Sequence, residues 1–98
     1  MSHSSIPTSL HLTVITSRSL LVDDDVDDVS LPSLEGELGI LPGHRPLITA
    51  IGRGNLTFRL EKREETFAVR GGYAHVLPDR VTVFTELSQD EQEWPAQG

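Results

Sequence analysis

No cysteine occurs anywhere in this 98-residue chain, so disulfide staples and thiolate zinc sites are both excluded. A reducing compartment is compatible with that usage. Basic residues are scarce: eight Lys and Arg stand against fifteen Asp and Glu, a formal charge of −7. They are spread from Arg18 to Arg80, with only Lys62 and Arg63 adjacent. Binding along a phosphate backbone needs a Lys/Arg-rich face, so nucleic acid is excluded as a general partner. No apolar run approaches the roughly 20 residues that span a bilayer. Met1 to Ser9 lacks a basic stretch followed by an apolar core, so it does not read as a secretory signal. Any membrane role therefore has to run through a partner. The i, i+3, i+4, i+7 apolar spacing of an amphipathic helix is also missing.

What is present is strand patterning in one small domain. A chain of this length buries roughly 60–65% of its unfolded surface, enough for one modest core. Leu10-His11-Leu12-Thr13-Val14-Ile15-Thr16 alternates apolar and polar residues from Leu10 to Val14, and Ser19 to Val22 is a weaker second strand. Val29-Ser30-Leu31 resumes the alternation until Pro32, which is expected to end it. The short apolar run Pro46 to Ile51 predicts a strand buried on both faces. Gly54 to Leu60 places Leu56, Phe58 and Leu60 on one side, and Glu61 to Glu65 reads as a charged hairpin turn. Thr66 to Arg70 returns, Gly71-Gly72 bends the chain into Tyr73 to Leu77, and Pro78-Asp79-Arg80 turns it into Val81 to Thr85. Strands at this spacing predict an all-β sandwich or barrel over residues 1–87. Residues 88–98 read as a polar C-terminal tail, with Trp94 either docked or exposed.

Candidate chemistry fails where it is tested. The run Asp23-Asp24-Asp25-Val26-Asp27-Asp28 would need glycine and glutamate at the sixth and twelfth positions of a calcium loop, and Asp28 and Leu34 stand there. It reads as a solvated acidic turn. His3, His11, His44 and His75 show no metal-ligand spacing, so no metal is expected. Gly52-Arg53-Gly54 lacks the third glycine of a dinucleotide fingerprint, which would fall at Thr57, and no cofactor is implied. Asn55-Leu56-Thr57 matches a glycosylation acceptor but carries no meaning without a secretory signal. No Gly-x-Ser-x-Gly elbow or thiol nucleophile exists, and Glu35 and Glu37 have no pocket around them in sequence. Catalysis is not expected.

Residues 35–44, Glu-Gly-Glu-Leu-Gly-Ile-Leu-Pro-Gly-His, carry three glycines and a proline, which predicts a shaped, partly buried loop built for contact. This stretch, continued by Pro46-Leu47-Ile48-Thr49-Ala50-Ile51, resembles the epsilon subunit family of F-type ATP synthases. Gly71-Gly72, Val76, Pro78, Val81 and Val83 match a second pattern of that family, and the resemblance spans roughly residues 10–86. It implies a flattened β-sandwich of about ten strands in the central stalk. One side would pack on the gamma subunit and one end on the polar loops of the membrane c-ring, coupling ion translocation to ATP synthesis without catalytic residues. By resemblance, Gly36, Glu37, Leu38, Gly39 and His44 would face the c-ring, with Glu37 foremost. Ile40, Leu41 and Pro42 would hold the loop to the sandwich. The setting implied is the cytoplasmic face of a bacterial inner membrane, or alternatively a plastid thylakoid.

Two departures stand out. Most members of that family continue into a helical hairpin, whereas this sequence stops soon after its last strand, as a naturally short or a shortened chain would. Hairpin functions are therefore not assigned to these residues. The acidic run is also unusually dense. The competing expectation is a free-standing β-sandwich that binds a small ligand or carbohydrate. It would call for surface aromatics lining a groove, yet Phe58, Phe67 and Phe84 fall at positions expected to face the core.

Overall fold

The computed structural model describes residues 7–89, so His3 and residues 90–98 of the polar tail, Trp94 included, lie outside the described residues. Eight strands run in order: β1 (Leu10–Ile15), β2 (Leu20–Val26), β3 (Asp28–Ser33), β4 (Gly36–Ile40), β5 (Leu47–Ala50), β6 (Arg53–Leu60), β7 (Arg63–Leu77) and β8 (Arg80–Leu87). No α-helix occurs among the described residues. The strands form one hydrogen-bonded sheet in the order β2-β1-β8-β7-β6-β3-β4, with β5 added on β7.

The sheet folds back on itself because β7 is long enough to serve both layers. Its first half pairs with β6, and its second half pairs with β8 and β5. Between the halves, the register against β8 slips at Gly71–Gly72, which bulge out of the ladder. The slip inserts one residue and flips the parity of the strand. Val69 faces inward before it, and Ala74 and Val76 face inward after it. Without that flip, one half of β7 would turn its apolar residues to water. β2 and β6, which are not neighbours in the sheet, consequently pack together and close the sandwich.

The core follows the period-two alternation of the strands. Leu10, Leu12 and Val14 of β1 are fully buried, as are Val81 and Val83 of β8, Leu56 of β6 and Leu31 of β3. Burying each such side chain stabilises the fold by about 1.5–3 kcal/mol.

Several expectations need correction. The count is eight strands, not about ten; one reason is that the segments expected on either side of Gly71-Gly72 are a single strand. Asp23 to Asp25 are not in a turn but on the edge strand β2, and Asp27 makes the bend. The β2–β3 link is that short because the Asp27 carboxylate accepts the Glu61 amide at 2.7 Å and Asp28 pairs with Arg59. Pro32 does not end β3. The ladder to β6 already stops at Ser30, so proline takes nothing from that pairing. β5 is not buried on both faces: Leu47, Ile48 and Ala50 are exposed. An apolar run without alternation also occurs on an outer strand that pairs on one side only.

Candidate partner-docking surfaces

The segment 35–44 is an edge strand and a turn rather than a loop throughout. β4 pairs along its whole length with β3, from Ser33↔Gly36 to Val29↔Ile40. Leu38 and Ile40 point to the core, which leaves Glu37 and Gly39 on the outer face. Gly36 has a φ of 126°, closed to side chains other than glycine's hydrogen, and it starts the strand after the Leu34–Glu35 turn. The Ser33 hydroxyl braces that turn, donating to the Gly36 carbonyl at 2.6 Å and accepting the Glu35 amide at 3.2 Å. Glu37 is exposed, and its carboxylate accepts a hydrogen bond from the Ser30 hydroxyl.

Beyond β4 the chain turns at Pro42–Gly43. The Gly43 amide donates to the Pro78 carbonyl at 2.8 Å, tying this turn to the one between β7 and β8. His44 donates its amide to the Leu41 carbonyl, and its Nδ1 lies 2.7 Å from the Arg45 carbonyl oxygen. Glu37 and His44 thus lie toward opposite ends of β4, and each is held by a different neighbour. Of the three residues expected to hold the segment down, Ile40 is in the core, Pro42 is half-buried and Leu41 is 63% exposed.

A second surface was missed in the sequence. Strand register places Ala50, Tyr73, Phe84, Ile15 and Leu20 side by side across β5, β7, β8, β1 and β2. Because these residues are partners in adjacent strands, they share the outer face of one layer. Tyr73 is 49% exposed, Phe84 37% and Leu20 56%, and Ile48 of β5 adds a side chain that is 69% exposed. Tyr73 and Phe84 pack together with ring centroids 5.0 Å apart. Phe84 is therefore not a core residue, contrary to expectation; Val81, Val83 and Thr85 take the inward positions. Ile15, Tyr73 and Phe84 also line an open groove of about 480 Å³ with Arg70 and Glu86. The Glu86 carboxylate accepts from the Ser17 amide and hydroxyl at 3.2 and 3.1 Å.

The same outer face carries a charged border on β1 and β2. His11 Nε2 lies 2.6 Å from an Asp23 oxygen, and Nδ1 lies 2.9 Å from an Asp25 oxygen. A neutral imidazole has one N–H and one lone pair, so two carboxylates can both be satisfied only by the imidazolium. The Asp25 and Asp23 hydrogen bonds hold the His11 pKa above its ordinary 6.5, against a small opposing effect of burial. No group of three or more His, Cys, Asp or Glu arranged to hold a metal ion occurs among the described residues. No described helix is long and apolar enough to cross a membrane.

Comparison with known proteins supplies the context for these surfaces. The profile of the ATP synthase delta/epsilon chain β-sandwich domain matches residues 9–88. The ATP synthase epsilon chain of Chloroflexus aggregans is 38% identical over 84 residues, covering 86% of this chain and 60% of that protein. That of Lawsonia intracellularis is 40% identical over 85 residues, covering 87% and 64%. The chain thus spans somewhat under two thirds of the length of these relatives. Among solved structures, a chain of the Euglena gracilis mitochondrial ATP synthase (OSCP/F1/c-ring, rotational state 1) superposes with a TM-score of 0.80 at 25% identity, over 86% of this chain and 54% of that one. A chain of the Tetrahymena thermophila mitochondrial ATP synthase central stalk and c-ring gives 0.70 at 14% identity, over 96% and 79%. That second likeness speaks to the fold alone.

Proposed function

The chain belongs to the ATP synthase delta/epsilon β-sandwich family, and from that premise we propose that it is a non-catalytic rotor subunit of the central stalk. In this role the outer apolar face receives the gamma subunit, and the end of the sandwich that carries the β3–β4 turn meets the c-ring. The complex, not this chain, provides the attachment to the membrane. The observation that carries the proposal is the continuous outer-face row Ala50-Tyr73-Phe84-Ile15-Leu20, in which Ile15 is half-buried and the others are exposed. A folded domain with a formal charge of −7 has little reason to leave a packed aromatic pair on a sheet face unless another protein covers it.

The c-ring assignment is finer and rests on Glu37. The Ser30 hydroxyl fixes its carboxylate on an exposed edge strand, where it can accept charge-assisted hydrogen bonds from basic or amide groups of another subunit. Gly39 beside it keeps the surface low for close approach.

The test is reconstitution of the chain with the gamma subunit of the same synthase. Stable association is expected for the wild type, and Tyr73→Ser should weaken it roughly tenfold or more, as removal of a central aromatic anchor does. An absence of any complex, with or without the c-ring, would refute the rotor role.

A further inference from the structure

We propose that the partner surface seated on the apolar row carries Lys or Arg residues opposite β2, where Asp23 and Asp25 form an acidic border to that row. The inference rests on the rotor reading and specifies the chemistry of the partner. It starts from register. Thr13 lies between His11 and Ile15 on the outer side of β1, and their partners on β2 are Asp23, Asp25 and Leu20 respectively. One strand edge therefore presents an apolar residue at one end of the face and two carboxylates further along it.

The rest of the face is not acidic to match. On β5 and β7 the outward residues are Ile48, Ala50, Tyr73, His75 and Leu77, and on β8 they are Arg80, Thr82, Phe84 and Glu86. Across the face the character thus runs from apolar at β5 to acidic at β2, with His11 compensating part of the β2 charge. A docked segment with an apolar stripe flanked on one side by basic residues matches that gradient. A second copy of the chain does not. It would set these aspartates against another molecule that also carries a formal charge of −7. Complementary charge at a border acts mainly on the rate of encounter and on choice of partner.

Two substitutions separate a docking role from a merely structural one, because they push in opposite directions. Asp23→Asn together with Asp25→Asn removes the border charge. His11→Gln keeps both aspartates and removes the imidazolium between them. Association of each full-length protein with the gamma subunit would be followed at about 20 mM and about 200 mM salt, over which the Debye length falls from roughly 20 Å to roughly 7 Å.

Expected is a wild-type rate that falls with salt, a double variant roughly three- to tenfold slower at low salt with a flatter salt dependence, and a faster His11→Gln. Asp25→Asn alone should fall between wild type and the double variant, which keeps the test available if the double variant fails to fold. Rates and salt dependence unchanged in the aspartate variants would overturn the proposal, as would slowing by both the aspartate and the histidine changes. Failure of the wild type to bind gamma at all would instead remove the rotor reading itself.

Discussion

Gly72→Ala, compared with Gly71→Ala, is the sharpest test of how β7 turns from one layer to the other. Both glycines have positive φ, +69° at Gly71 and +102° at Gly72. A methyl group at Gly71 meets nothing within 4 Å, so its penalty is the left-handed backbone alone, about 1–2 kcal/mol. At Gly72 the methyl would land on the Phe84 carbonyl, with the carbonyl carbon at 2.8 Å and Thr85 Cα at 2.9 Å. These are backbone atoms of the neighbouring strand, and no rotamer change moves them away. β7 and β8 would have to part at the bulge, weakening backbone hydrogen bonds worth about 0.5–1.5 kcal/mol each. Together with the backbone strain, the loss should reach about 3–5 kcal/mol, a large share of the 5–15 kcal/mol that holds a domain together. Urea unfolding followed by circular dichroism reads this directly. A loss of about 3 kcal/mol at a slope near 1.5 kcal/mol/M lowers the midpoint by about 2 M, and Gly71→Ala should lower it by no more than about two thirds as much. Equal losses in the two variants would show that turn conformation, and not the close approach of two backbones, requires glycine at position 72. Because Tyr73 follows directly and packs against the Phe84 ring, Gly72→Ala should also weaken binding to gamma more than Gly71→Ala does.

Three further outcomes are expected. The His11 proton is held more tightly in the folded than in the unfolded chain, so its stabilisation is whole below pH 6.5 and fades as pH rises through the raised folded value. The side chain is 44% exposed, which limits the effect to within about 1 kcal/mol; an NMR titration of the ring protons should show a raised midpoint, and His11→Gln should abolish that part of the pH dependence of unfolding. Glu37→Lys should weaken association with the c-ring several-fold while leaving binding to gamma nearly unchanged, and equal losses would count against the direction assigned to this edge. Leu12→Ala, at a fully buried position of β1, should lower stability by about 2–5 kcal/mol in the same urea assay.

Much of this fold was legible because strand periodicity is local. The alternation in Leu10 to Val14 and in Leu56 to Leu60 assigned the inward faces of β1 and β6 without reference to the rest of the chain. The extension of β2 through three aspartates was not legible, since consecutive carboxylates suit a turn better than a strand by propensity alone. They are tolerated because β2 is an edge, open to water on one side, and because His11 lies across the ladder to pair with two of them. Gly71-Gly72 announced a bend but not its type. Whether a double glycine breaks a strand or bulges it depends on partners that are distant in sequence. Phe84 was misassigned although its alternation was visible: counting from Val81 puts Val83 and Thr85 inward and Phe84 outward. Hydrophobicity and parity point opposite ways at Phe84, and parity decides, which puts its ring beside Tyr73 on the outer face. Of the candidate site, the motif at 35–44 was plain, while the separation of Glu37 from His44 by β4 needed the strand register.

Asp23 and Asp25 and the apolar row account for each other, since strand register places them on the same face. An exposed edge strand and a row of uncovered aromatics are two hazards for a free subunit, since either can recruit another copy of the chain. Asp23 to Asp25 lie on the edge strand, and Asp23 and Asp25 border the row, so both routes to self-association bring like charges together. The same carboxylates attract a basic partner instead of repelling it. In the rotor role proposed above, one strand would both keep the free chain apart from its copies and admit a basic partner. Replacing the two aspartates by lysine should accordingly raise self-association of the free chain, measured by sedimentation, before any change in its fold is seen. A variant that stays monomeric at the same concentration would mean that the row is protected by something other than its acidic border.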